Sequence, residues 1–333
     1  MNIKNVITED SIFSEIDRIC VSNDNIYTPK AKAARVNAAL DRFLSLAFQA
    51  DNRWSFDDIN QTSPPIDTQN IVSGTNRYKF SAFTEKILNL IRLEVLDSAG
   101  KGVYLTPEIW GNFNVSAGNQ SGRISNAVIE DTFQELYINA SSGTPTHYIK
   151  YGDFIYLRPN PNYAYTAGLK AYFNRPASKF VFTTFTVTIA SPAVFTAAAH
   201  GLAANDSLIL ATDGALATGL TADTIIYYVI SAGLTADAFE VSATLAGSAV
   251  NTSGTQSGNH SFLKANKEPG VPAIFHPYLA RYAALPFLIE KEKPQTAAIA
   301  ALIRQDELEI QNFFSQRDKD AVRRMIPKIT NTR

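Results

Sequence analysis

The sequence predicts an α+β protein: a helical layer drawn from both ends of the chain, an antiparallel β meander between them, and a small inserted all-β barrel or sandwich. Three observations carry this. Apolar residues recur at helical spacing in Val36, Leu40, Phe43, Leu44, Ala47 and Phe48, and again in Ile299, Leu302, Ile303, Ile310, Phe313 and Phe314. Residues 145–176, PTHYIKYGDFIYLRPNPNYAYTAGLKAYFNRP, alternate aromatic and β-branched runs with the turn signals Gly152-Asp153 and Asn160-Pro161-Asn162. At about Phe182 the composition changes: residues 183–262 hold no Lys or Arg but five acids, Asp206, Asp213, Asp223, Asp237 and Glu240. The rest of the chain keeps all 30 basic residues and 26 of the 31 acidic ones. The expected domains are therefore residues 1–182 joined with 264–333, and an inserted module at 183–263. Such insertions are tolerated where the two ends lie close together at a surface.

In chain order, residues 11–21 read as a short helix with Ile12, Ile16 and Ile19 on one stripe, capped by Asp10 or Thr8. Thr28 and Pro29 suit the cap and first turn of a second helix over 30–50, with Lys30, Lys32, Arg35 and Arg42 on its solvent side. Residues 51–65 are a polar linker anchored by Trp54 and Phe56. Strands follow at 71–72, 77–80 and 91–96, then a turn at 98–102, a helix cap at Thr106-Pro107-Glu108 and a short helix at 125–136. Within the module the phrases Thr218-Gly219-Leu220-Thr221-Ala222-Asp223 and Ala232-Gly233-Leu234-Thr235-Ala236-Asp237 repeat fourteen residues apart, with strands at 224–230 and 238–242. An apolar helix at 277–291, kinked or split by Pro286, and an amphipathic helix from Pro294 complete the order.

Length and composition bound the chemistry. A chain of 333 residues, 45 % apolar with net charge −1, has room for two domains and no overall pull toward nucleic acid or anionic membrane. The single cysteine, Cys20, excludes an internal disulfide framework and is expected as a small buried apolar residue. No signal-peptide core and no apolar run of about 20 residues is present, so the expected compartment is reducing and cytosol-like. His147, His200, His260 and His276 show no metal-ligand spacing, and neither a GxSxG elbow nor a phosphate loop is found. Glu130-Asp131, adjacent on a helix, point different ways and read as a solvated face.

Two groups are singled out. With Gly152-Asp153 as the hairpin loop, Tyr151 faces Phe154, Ile149 faces Tyr156 and Tyr148 faces Leu157, with residues 167–173 as the third strand. Tyr148, Tyr151, Phe154, Tyr156 and Tyr172 are assigned to core and subunit interface, in preference to a sugar or single-strand platform. The tail from 317 to 333 carries Arg317, Lys319, Arg323, Arg324, Lys328 and Arg333 against Asp318 and Asp320. It is either a phosphate- or acid-contacting segment or a solvated helix end.

Residues Thr144-Pro145, Tyr148, Gly152, Ile155, Leu157, Pro159, Pro161, Tyr165, Leu169, Tyr172 and Pro176 resemble the signature of tailed-bacteriophage head-to-tail adaptor (neck, or connector) proteins. Residues 30–50, Trp54 and the Pro269-Gly270-Val271-Pro272, His276 and Arg317 pattern agree with it. The insertion, through His200-Gly201-Leu202, Asn205-Asp206, Gly214-Ala215-Leu216, 218–221, 227–230 and 251–255, resembles an FCCH-like β module repeated in phage virion proteins. That module's association with ubiquitin-activating enzymes carries no ubiquitin chemistry here, since Cys20 lies outside it.

The resemblance implies a structural virion protein, not an enzyme, with no cofactor and no metal. Its expected partners are itself in a closed ring, commonly a dodecamer, the portal protein, the next neck or tail protein, and packaged double-stranded DNA passing through the lumen. It would be assembled in the host cytoplasm and reside at the neck of the virion, without membrane contact. Arg317, Lys319, Arg323, Arg324 and Lys328 become portal- or DNA-channel contacts. The alternatives are another tail or baseplate subunit whose module binds a host receptor or glycan, or a glycan hydrolase.

Overall fold

A computed structural model describes residues 1–5, 10–50, 66–84, 86–108 and 141–317. The fold is α+β, as expected. The linker at 51–65, the helix at 125–136, Glu130-Asp131 and the tail beyond 317 lie outside the described residues. Two compact units form: residues 1–54 with 177–333, and residues 55–176. The expected module at 183–263 keeps a hydrophobic core of its own inside the first unit.

In the first unit, α1 (Ile12–Cys20) is capped by Ser11, whose hydroxyl accepts from the Ser14 N–H. Thr28 caps α2 (Pro29–Ala50), accepting from Ala31 N–H. A 3-10 turn (Ala273–Phe275) leads into α3 (His276–Glu290), which continues through Pro286 instead of splitting there. Pro286 leaves the Tyr282 carbonyl without its helical N–H, and Tyr27 donates to the next carbonyl, Ala283, at 3.0 Å. α4 spans Thr296–Arg317, starting two residues after Pro294. Phe43 of α2 is the hub, its ring centroid 5.5, 6.4 and 5.7 Å from those of Phe275, Tyr278 and Phe314.

Charges expected outside are partly inside. Lys32 is fully buried, bonded to Asp17 at 2.5 Å and Asp24 at 2.8 Å. Arg42 forks onto Glu307 at 2.8 and 3.0 Å, and Arg281 donates from Nη1 to both Asp306 oxygens, so these pairs hold α4 against α2 and α3. Helical spacing reveals where apolar side chains gather. It does not show that a charge at the edge of that stripe meets a partner from another helix.

His276, also buried, donates from Nε2 to the Val271 carbonyl and accepts at Nδ1 from the Met1 ammonium. Burial first, then the ammonium, hold its pKa below the usual value, against the carbonyl's upward pull. The unfolded chain therefore binds the proton more readily, and the stability contributed by neutral His276 is present above about pH 6.5 and lost below it. Urea melts at pH 7.5 and 5.5 should differ, by up to about 1.4 kcal/mol per pH unit. His276→Gln should flatten the difference; an unchanged slope would sink this reading.

The module is a seven-stranded antiparallel sheet. Its order is β15 (Ala238–Phe239), β12 (Phe195–Thr196), β11 (Thr183–Val187), β17 (His260–Lys264), β13 (Ser207–Thr212), β14 (Ile226–Val229) and β16 (Val241–Ser242). The two edge strands are separated by Glu240 alone, so the sheet nearly closes on itself as a barrel. The repeated phrases explain themselves here: Gly219 and Gly233 both take positive φ, and Leu220 and Leu234 plug the same core around Phe195, Phe239 and Phe262.

The second unit is a sandwich. One sheet has the order β1 (Ile66–Ile71), β10 (Tyr165–Asn174), β3 (Asn89–Leu96), β4 (Gly102–Tyr104). The other runs β2 (Arg77–Lys79), β8 (Phe154–Arg158), β7 (His147–Tyr151), β5 (Thr106–Pro107). Ile71, Leu93, Leu169 and Phe173 of the first meet Tyr78, Tyr148, Ile155 and Leu157 of the second in one core. The hairpin register is the expected one, Tyr148 to Leu157, Ile149 to Tyr156 and Tyr151 to Phe154. The third run is not part of that sheet. Pro159 has no N–H to continue that ladder, β9 (Asn160–Pro161) pairs instead in parallel with β6 (Ser142–Gly143), and β10 crosses to the other sheet while β2 takes the place beside β8. Thr106-Pro107, expected as a helix cap, instead pairs in parallel with His147 and Tyr148.

Candidate functional site

The aromatic residues singled out in the sequence divide by depth. Tyr148 and Tyr156 are buried, whereas Phe154 and Tyr172 are partly open and Tyr151 is 46 % exposed. Cross-strand pairing brings cations onto them. Arg77 and Tyr156 are register partners on β2 and β8, as are Lys79 and Phe154; the Arg77 guanidinium stands 4.2 Å from the Phe154 ring centre and the Lys79 ammonium 5.7 Å. On the other sheet Arg92 lies 3.9 Å from the ring centre of Tyr172 and 4.9 Å from that of Tyr104, and the Tyr172 hydroxyl donates to Glu94 at 2.9 Å. Burial, then that bond to Glu94, raise the Tyr172 pKa against the lowering influence of Arg92.

These are two mixed aromatic and basic faces, and half of each was missed in the sequence. Arg77 and Lys79 lie 75 or more positions from Phe154 along the chain, and Arg92 lies 80 from Tyr172, though only 12 from Tyr104. The only local signal was the alternation Arg77-Tyr78-Lys79 and Arg92-Leu93-Glu94-Val95, which places the polar members on the outward face. Of the basic residues expected to contact portal or DNA, Arg317 is the last residue of α4, and Lys319, Arg323, Arg324 and Lys328 lie outside the described residues.

A concave feature belongs to the module. A groove of about 450 Å³ runs beside β11 and β12, closed on one side by the loop at 256–259. Its wall includes Thr184, Thr186, Thr196, Gln256, Asn259 and His260, and carries no Asp, Glu, Lys or Arg. The amide of Gln256 donates to the Val187 carbonyl at 2.7 Å, and its Oε1 is buried without a protein partner. His260, 5 % exposed, has Nδ1 2.8 Å from the Thr212 hydroxyl.

Cys20 is enclosed in the helical core, and burial, then Asp17, push its thiol up to about 11, where almost none is thiolate at neutral pH. Among the described residues no cluster of three or more His, Cys, Asp or Glu is placed to hold a metal ion. Among them, too, no helix is long and apolar enough to cross a membrane. Compared with protein-family models the chain matches none, and a search of curated proteins gave no significant match.

Proposed function

We propose that this chain is a structural virion subunit that forms a closed ring at the neck of a tailed phage, joins portal to tail and lines the DNA channel. The observation that carries the reading is the surface of α4. Its apolar stripe is wider than the groove it fills within the chain: Ile303, Ile310 and Phe314 are buried, while Leu302 and Phe313, eleven residues apart and so on one face, stay 42 % and 40 % exposed. Ile274 is exposed as well, and its neighbour Phe275 packs edge-on against Phe313 at 5.3 Å. Exposed apolar residues recurring on one helix face suit a subunit contact. A ring contact of that kind needs on the order of 1,000 Å² or more of buried surface.

The module's paired entry and exit strands support the second half of the reading, an outward decoration on an adaptor body. Thr183 lies opposite Phe262, so excision of 184–262 joins chain segments that are already neighbours.

Native mass spectrometry and negative-stain images of the purified chain test this. Closed rings are expected, surviving deletion of 184–262 and falling to monomers in a Leu302→Asp, Phe313→Asp double variant. Truncation after Phe314 should abolish binding to portal. A full chain that stays monomeric at tens of micromolar with portal present would overturn the proposal.

A further inference from the structure

We infer that the outward face of the sheet made by β1, β10, β3 and β4 is a docking surface for an acidic segment of a partner protein, with the Arg92 guanidinium as its carboxylate receptor. Strand register builds the surface. Tyr172 on β10 lies opposite both Ile66 on β1 and Arg92 on β3, and Tyr104 on β4 pairs with Glu94, two residues along β3 from Arg92. Their chain neighbours Ala171, Leu93 and Val103 belong to the sandwich core, so Tyr104, Arg92, Tyr172 and Ile66 form a row across all four strands on the outside. The row is open to solvent: Tyr104 is 63 % and Ile66 37 % exposed, and Arg92 is exposed as well.

The arginine is positioned in advance. Its central carbon stands 3.9 Å from the ring centre of Tyr172 and 4.9 Å from that of Tyr104, one ring from the strand on each side. Tyr172 is itself tethered, since its hydroxyl donates to Glu94, and the Glu94 carboxylate lies so close over Gly102 that an added Cβ there would collide with it. Stacking uses the faces of a guanidinium and leaves its N–H groups in the plane, where they match the two oxygens of a carboxylate. Arg92 makes no ion pair among the described residues, unlike Arg18, Arg42, Arg158 and Arg281. An exposed arginine already held by two rings loses little freedom on binding, and arginine with tyrosine is the pairing on which interface energy concentrates.

Charge selects the occupant. The outward face of the four strands holds two cations, Arg92 and Lys170, beside the carboxylate of Glu94. A nucleic-acid strand, with a phosphate at every nucleotide, calls for a longer run of cations. One carboxylate next to an apolar side chain uses Arg92 and Ile66 together. Two strand spacings, about 10 Å, separate these residues, a span that a few residues of peptide cover. This inference goes beyond the neck reading and does not depend on ring formation.

The test is fluorescence anisotropy on the full chain with a short, capped, labelled peptide in which each glutamate stands three positions from a leucine. The same peptide with glutamine for glutamate and a labelled oligothymidylate are the comparison probes. The glutamate peptide is expected to bind at submillimolar concentration, with the glutamine peptide at least tenfold weaker. Arg92→Lys keeps the charge but loses the fork and the stacking, and should weaken binding at least tenfold with oligomeric state unchanged. Tyr104→Ala, at an exposed position, should weaken it about threefold at unchanged Tm, which guards against a folding defect in the first variant. No binding of the glutamate peptide, equal binding of its glutamine form, tighter binding of oligothymidylate, or binding untouched in both variants would each overturn the inference. Loss of self-association in a folded Arg92→Lys chain would assign the face to a second copy and overturn it too.

Discussion

Replacing Lys32 with methionine is expected to cost the helical body about 3–5 kcal/mol, the range for removing one partner of a buried ion pair. The ammonium is fully enclosed, 2.5 Å from Asp17 at the end of α1 and 2.8 Å from Asp24 in the following loop, with the rings of Phe13 and Tyr27 5.7 and 5.9 Å away. Asp24 is shared with Lys4, which also donates to the Asp223 carbonyl of the module. Removal of Lys32 therefore leaves Asp17 without its cation and Asp24 with only one of two. Methionine fills the volume but neutralises nothing. The control is a triple variant, Lys32→Met, Asp17→Asn and Asp24→Asn, which should recover much of the loss, because an ion cluster replaced as a whole by neutral groups of similar size is often tolerated. Urea unfolding of the three proteins reads the outcome. A Lys32→Met chain within about 1 kcal/mol of the parent would show that the cluster is hydrated rather than buried.

Gly219→Ala should be the more damaging of two formally identical changes in the repeated phrases. Gly219 has φ +105°, and an added Cβ would collide with the Asn251 carbonyl oxygen, a backbone atom. That strand cannot retreat easily, since Thr218 and Ser253 exchange two bonds of 3.0 Å next to it. Gly233 has φ +66°, and its added Cβ would meet the carboxylate end of Glu240, which can swing aside. The expected loss at 233 is about 1 kcal/mol, the cost of an L-residue in the left-handed region. At 219 strain and collision add, for a loss on the order of 3 kcal/mol. Thermal melts of the two variants side by side check this, and equal destabilisation would contradict it.

Local pattern made much of this fold readable. The 152–153 turn fixed the hairpin register to the residue, because a two-residue loop allows one pairing and a single slip would turn every side chain over. The helices of 11–21 and 30–50 and the foreign composition of 183–263 were equally plain. What failed was partner choice over distance. Proline at 159 and 161 announced a turn, but nothing local said that residues 167–173 would join β1 and β3, 100 or more positions earlier at the first of them. Lys32 looked like solvent-facing charge because the two aspartates that enclose it come from another helix and a loop. For the groove, His260 and Gln256 are unremarkable in sequence, and only the sheet that brings β11 against β17 puts them on one wall.

That same pairing of β11 with β17 has a mechanical consequence. Both covalent attachments of the module leave from adjacent antiparallel strands, at Thr183 and at Lys264, so tension between module and body acts across neighbouring strands at one end of the sheet. The bonds at Thr183 and Phe262 are then loaded first, one pair after another, as in peeling a zipper, instead of all sharing the load in shear. Along the covalent path, a tug on the module opens its own base before it reaches the helices. The Asp206 carboxylate, 2.7 Å from Lys264 and bonded to Asn266, rivets the exit strand beyond that zipper and keeps such an opening from reaching the body.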